Sequence, residues 1–363
     1  MTASTVQARL DRATAPLDRL RAQLFGWTLR SRRLRSLAVS RDRRIAMTLL
    51  PRVLLAFVLA AYAPVLLFVL GPIALGVLHV AADVRYLLLR PRLTRWWAGA
   101  CAAACGSLAV SRALELVGAI QRSERAQFAI VFSWAVAAIV AAAKRTGECW
   151  RVLVGISIVA TVATIAYQSP TTFRLVLLHG HNLLALLVWP VFFRVRGFWS
   201  WSLSILALGG AALLASGWLF RASLSHLEWN LFPVHPLEVA DWLAPRLRAD
   251  HAIGVTSAFV FLQALHYAAW LSVIPQSQTR GQASLSFRMT SRALLADFGV
   301  LGVGLVVTSW LLVLGFACAD PVRTSLSYVS LAMFHAYLEL VLLLYFFVAK
   351  HSGARESVRP ACR

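Results

Sequence analysis

The chain has 363 residues, 59% of them hydrophobic and only 14% charged, where an ordinary soluble domain carries about 25% charged residues. That balance excludes a soluble globular protein, and repeated apolar runs of about 18 residues or more, each able to cross roughly 30 Å of hydrocarbon, predict an all-α polytopic helical membrane protein. The net charge of +21 does not predict nucleic acid as a partner, because Lys and Arg gather at the N-terminus and in alternate short loops, not on one soluble face.

Residues 1–46 come first. No apolar core of the roughly 7–15 residues that a signal peptide needs lies among their charges. Leu10, Leu17, Leu20, Leu24 and Trp27 recur at helical spacing, with Arg9, Arg12, Arg19, Arg21 and Arg30 between them. This segment is expected to be a basic amphipathic helix on the cytoplasmic membrane surface, with anionic lipid as its partner.

Ten spans are expected next, near 47–70, 72–90, 96–120, 126–143, 150–168, 171–193, 199–220, 251–275, 292–318 and 325–349. With the N-terminus inside, the inside segments hold 26 Lys and Arg and the outside segments six. Both termini are therefore expected in the cytoplasm, and the protein in the cell inner membrane as a multi-pass bundle over 47–349. An external loop near 221–250, rich in Trp and Leu, is expected to cap the outer end, and 350–363 to form a cytoplasmic tail. The five cysteines form no Cys-x-x-Cys pair and suggest no disulfide framework.

Ionisable groups are costly in hydrocarbon and usually face a bundle interior. Five histidines fall inside the expected spans: His79 in the second, His179 and His181 in the sixth, His266 in the eighth and His335 in the tenth. All four helices run from outside to inside. At 1.5 Å per residue the five imidazoles lie roughly 10 to 22 Å below the outer ends, in one slab. Asp83 follows His79 at i+4 and Glu339 follows His335 at i+4, so each carboxylate shares a face with an imidazole. It can join the imidazole on a metal or orient its second nitrogen. In "LHGHN", His179 and His181 point about 200° apart on a regular helix. Both reach one centre only if the helix distorts at Gly180; otherwise His179 and Asn182 share a face.

This set predicts a mid-membrane metal centre with His79, His179, His181, His266 and His335 as ligands, and Asp83, Glu339 and Asn182 as supporting or additional ligands. Histidine with carboxylate suits non-haem iron, and less specifically zinc. Two opposed imidazoles, such as His79 and His335, would suit haem b electron transfer instead. A third reading uses the His, Asp and Glu groups as the relay of a proton-coupled transporter. Arg112 and Glu115 are expected to pair, and Trp189, Trp270 and Trp310 to face lipid or the interface.

"GVLHVAAD", with His79 and Asp83, resembles the His-Gly-Ala-x-Asp stretch of the Brp/Blh-type membrane β-carotene dioxygenases, and "FLQALHYAAW", with His266, sits where that family has a later aromatic and histidine-rich stretch. The resemblance implies a polytopic helical enzyme whose histidines bind iron for oxidative cleavage of a carotenoid. Val80 stands where the family has glycine, and Trp270 and Ile274 stand where its later paired histidines would follow. The expected activity is thus that of an iron-dependent oxygenase acting on a lipophilic isoprenoid or lipid, a small molecule able to enter from the bilayer.

Overall fold

The structure, a computed structural model, describes residues 3–31, 35, 41–91, 93–121, 123–192, 198–219, 231–232, 234–245, 247–277 and 286–350. Residues 221–230, 233 and 246 of the expected external loop and the expected tail from residue 351 lie outside the described residues, as does the side chain of Trp189. No strand occurs among the described residues. In chain order the helices are α1 (Ala3–Arg30), α2 (Arg41–Tyr62), α3 (Pro64–Leu89), α4 (Arg95–Leu116), α5 (Glu124–Ala143) and α6 (Cys149–Gln168). They continue with α7 (Pro170–Phe192), α8 (Phe198–Ala215), the short α9 (Pro236–Leu243), α10 (Ala249–Gln276), α11 (Phe287–Ala319) and α12 (Pro321–Val348). Eight of them, among the described residues, are long and apolar enough to cross a membrane. Helices α7 and α8 stand where the sixth and seventh spans are expected.

Proline sets the corners. The residue before a proline is pushed out of the helical region, and proline itself fits the first helical turn. Ala63 (φ −144°, ψ 59°), Ser169 (φ −138°, ψ 70°) and Asp320 (φ −150°, ψ 96°) each form a one-residue corner before Pro64, Pro170 and Pro321. Asp320 also caps α12, its Oδ1 accepting the Arg323 N–H at 2.9 Å. The break between the first two spans therefore falls at Ala63 and not, as expected, at Gly71–Pro72. Pro72 is absorbed by a π-helical turn over Pro72–Gly76. A π turn moves each backbone donor one carbonyl further back, which accommodates a proline that cannot donate. Ser325 donates its hydroxyl to the Val69 carbonyl (3.1 Å) and Trp310 its indole N–H to the Ala74 carbonyl (3.1 Å), so neighbouring helices stitch this turn.

The core lies between α3, α5, α10 and α12. Phe68, Phe259, Phe261, Leu265, Leu338 and Leu342 are fully buried there. Close packing between membrane helices depends on small residues, since lipid offers no hydrophobic drive. Gly254 on α10 is one such contact: a Cβ there would meet the Leu214 carbonyl oxygen at 2.7 Å. Helix α11 is peripheral, with no buried residue, and kinks at Gly299 (φ +68°), a conformation that glycine adopts without steric penalty. The expected span at 292–318 is thus two pieces, a first stretch from Phe287 and an apolar rod after Gly299. Against the first stretch packs α1. Its Asp18 accepts the Phe287 and Arg288 N–H groups (2.7 and 3.1 Å), capping α11, and its Asp11 binds Arg292 at 2.5 Å.

Candidate metal centre

Four helices each bring one imidazole to a common point. His79 lies 15 residues past the Pro64 corner, His181 11 past Pro170 and His335 14 past Pro321; His266 lies 17 past the start of α10. Those offsets correspond to depths of roughly 16 to 26 Å. Two further π turns flank the point, over Val84–Leu89 and Ala269–Val273, next to His79 and His266. Such turns disturb helix periodicity and recur at functional sites.

The geometry is tight. His79 Nε2 lies 2.9 Å from His266 Nε2 and 3.3 Å from Asp83 Oδ2. His266 Nε2 lies 3.3 Å from Glu339 Oε1. The His335 ring stands 5.0 Å from that of His79. The His181 ring stands 5.4 and 5.3 Å from those of His266 and His335. Ligand atoms of His79, His266 and His335 lie within 4.8 Å of one another, and so do those of His79, Asp83 and Glu339. All six side chains are buried. These groups could hold a metal ion.

Hydrogen bonding fixes two of the rings. His335 Nδ1 faces the Ala332 carbonyl, and His181 Nδ1 faces the Leu177 carbonyl at 3.0 Å. A carbonyl only accepts, so each Nδ1 carries the proton and each Nε2 presents a bare lone pair. Ligating histidines are oriented in this way by a carbonyl behind the ring. Both Asp83 oxygens, Glu339 Oε1 and His335 Nε2 are buried without a hydrogen-bond partner. Buried polar atoms are nearly always satisfied, and a buried carboxylate without a partner is especially costly. A divalent cation among them would remove that cost.

The structure separates the two histidines of "LHGHN". Helix α7 runs straight through Gly180, so the two imidazoles diverge. His181 turns to the cluster. His179 turns away: its Nε2 donates to the Leu243 carbonyl (2.9 Å), and its ring packs on Phe259. Asn182 is buried, with its amide donating to Leu178 O at 3.5 Å, and lines a small cavity beside the cluster together with His181 and His335.

Sequence reasoning missed Gln263 and Tyr267, which line this cavity, and Tyr328, which lines it from α12. It also placed Trp270 facing lipid or the interface. Trp270 is buried, its ring 6.2 Å from His79 and 6.4 Å from His266, and it hydrogen-bonds the Glu339 carboxylate. A signal was present: Gln263, Tyr267 and Trp270 recur with His266 at spacings of three and four, one face of α10.

Other polar groups pair locally, away from the cluster. Arg112 binds Glu115, as expected, and Glu115 also accepts the Ser123 N–H at 2.7 Å. Arg85 and Arg90, at the end of α3, both bind Asp297 (2.6 and 3.1 Å). Comparison of the chain with known protein families, with curated proteins and with solved structures found no match.

Proposed function

We propose that this integral membrane protein carries a buried transition-metal centre held by His79, His181, His266 and His335, with Asp83 and Glu339 as carboxylate ligands or as the groups that orient the imidazoles. One observation carries the reading. The three polar contacts around His79 Nε2 and His266 Nε2 measure 2.9, 3.3 and 3.3 Å. Neighbouring ligand atoms bound to one ion at about 2.0–2.2 Å stand roughly 2.8–3.5 Å apart in octahedral or tetrahedral geometry. The contacts have the length of coordination-polyhedron edges.

Imidazole mixed with carboxylate suits non-haem iron, and zinc next. Haem fits less well, because the His79 and His335 ring centroids stand 5.0 Å apart, closer than two imidazoles on opposite faces of one haem iron would be. An oxidoreductase of a lipophilic substrate agrees with an iron centre enclosed by apolar helices of an inner-membrane protein. His179 belongs to helix packing in this reading.

The test is metal content. Protein purified in detergent, and loaded with ferrous iron, zinc or cobalt(II) in turn, should retain about one or two equivalents of at least one ion through gel filtration. Less than a tenth of an equivalent with every ion would overturn the reading. A second reading, proton relay, draws on the continuous contact chain Asp83–His79–His266–Glu339. It is distinguished by proton flux across liposomes in metal-free protein.

A further inference from the structure

A small cavity lies beside the cluster. Its walls come from α7, α10 and α12, and it touches the centre through His181 and His335. The cavity has room for about one water molecule. Its lining is mixed: Met333, Val329 and Leu178 are apolar, while Gln263 and Tyr328 are polar.

Two buried atoms in this lining lack partners. One is His335 Nε2, the lone pair that faces the centre. The other is the Tyr328 hydroxyl. A tyrosine hydroxyl buried against apolar side chains normally finds a partner. Tyr328 is also held in place. Its ring and hydroxyl fill the space that a side chain at position 76 would need, a Cβ on Gly76 lying 2.5 to 2.7 Å from Cε1, Cζ and the hydroxyl oxygen. Gly76 is one turn before His79 on α3, so the same helix that supplies a ligand seats the tyrosine.

We infer that this cavity is the exchangeable-ligand position of the centre: it takes a ligand of one or two heavy atoms with an acceptor atom, of the size of water or dioxygen, which binds the ion at the His335 edge and accepts a hydrogen bond from Tyr328. The inference rests on the metal-centre reading. A small neutral ligand reaches such a site through lipid, and no larger molecule fits beside the ion without moving Tyr328 or Met333. The bulk of a lipophilic substrate therefore stays outside this position, with only its reacting end approaching.

Cobalt(II)-loaded protein in detergent, titrated with nitric oxide without oxygen, tests this. Nitric oxide is diatomic, neutral and able to cross an apolar barrier. The visible cobalt bands should change saturably. Tyr328→Phe should retain cobalt at the wild-type stoichiometry and weaken nitric oxide binding about fivefold to tenfold, the loss of one hydrogen bond. Val329→Ile, which adds a methyl to the apolar wall of the cavity, should retain cobalt and abolish the response. Bands that nitric oxide leaves unchanged in the wild type, or an affinity that Tyr328→Phe leaves unchanged, would overturn the inference with the metal centre intact. Wild-type protein that retains no ion at all would overturn both.

Discussion

Helices α10 and α11 are both apolar enough to cross a membrane, yet 78% of the most apolar window of α10 is buried and none of that of α11. The difference lies in their polar residues. Helix α10 carries Thr256, Gln263 and His266, all buried, and α12 carries Ser325, His335 and Glu339, all buried. After Gly299, α11 has no ionisable side chain before its last residues, and Leu301 and Leu305 are 85% and 70% exposed. In lipid an exposed leucine costs nothing, so hydrophobicity does not draw a helix inward. Polar groups do, because only other protein groups can satisfy them. Of the two, the interior helix is the less apolar, with mean hydropathy 1.5 in α10 against 2.3 in α11.

The sharpest way to break this comparison is to remove an interior imidazole. His79→Ala should cut metal affinity by more than about 100-fold, beyond the 10- to 100-fold expected for a group that only orients a ligand. Metal analysis after dialysis checks it, and retained metal would return the histidines to packing. Next is Gly254→Ala on α10. The new methyl meets backbone atoms of Leu214 and Gly217, which cannot swing aside. A loss of about 1–3 kcal/mol is expected, read from thermal unfolding in detergent. Third, Asp297→Asn removes the carboxylate shared by Arg85 and Arg90. Arg85 is buried, so its loss of a charged partner should cost about 1–2 kcal/mol in the same assay.

Peripheral changes should be small or opposite in sign. Gly304→Ala on α11 has open space around the new methyl. It should stabilise by up to about 1 kcal/mol, the helix preference for alanine over glycine. A destabilisation matching that of Gly254→Ala would remove the distinction between core and periphery. The smallest effect expected is the pH response of α1 docking. The Arg292 guanidinium, hydrogen-bonded to Asp11, holds that carboxyl below its ordinary value of 3.8. A lowered pKa stabilises the docked form above the ordinary value, and that contribution is lost as pH falls through the lowered one. Spin labels on α1 and on the first turn of α11 should keep one distance above pH 5 and broaden only well below pH 4. Broadening already near neutral pH would show that this ion pair does not hold α1.

Much of the site was legible, for one reason. A residue that is expensive in hydrocarbon stands out against an apolar background, so His79, Asp83, His266, His335 and Glu339 could be picked out by depth and by i+4 spacing. The aromatic and amide lining was less legible. Trp270, Tyr267 and Tyr328 are apolar enough to pass as lipid-facing, and only their neighbours show that they are not. The N-terminal helix shows a similar limit. Its Leu and Arg periodicity was plain, and Leu17, Leu20, Leu24 and Trp27 are indeed exposed. Nothing local shows that Asp11 and Asp18 clamp α1 to a helix some 270 residues later.

By itself the sequence determined that the chain is a helical membrane bundle and that several helices carry imidazoles at similar depth, because both follow from local cost: apolar runs of span length, and rare polar groups within them. Tertiary structure decided the rest. It set the first corner at Ala63 instead of Gly71, since a π turn stitched by Ser325 and Trp310 lets α3 continue through Pro72. It chose His181 over His179, since a regular helix turns i and i+2 apart and only the packing of α7 against α10 and α12 says which one faces in. It also brought four imidazoles and two carboxylates within contact distance, because convergence depends on how helices cross, which no single helix encodes.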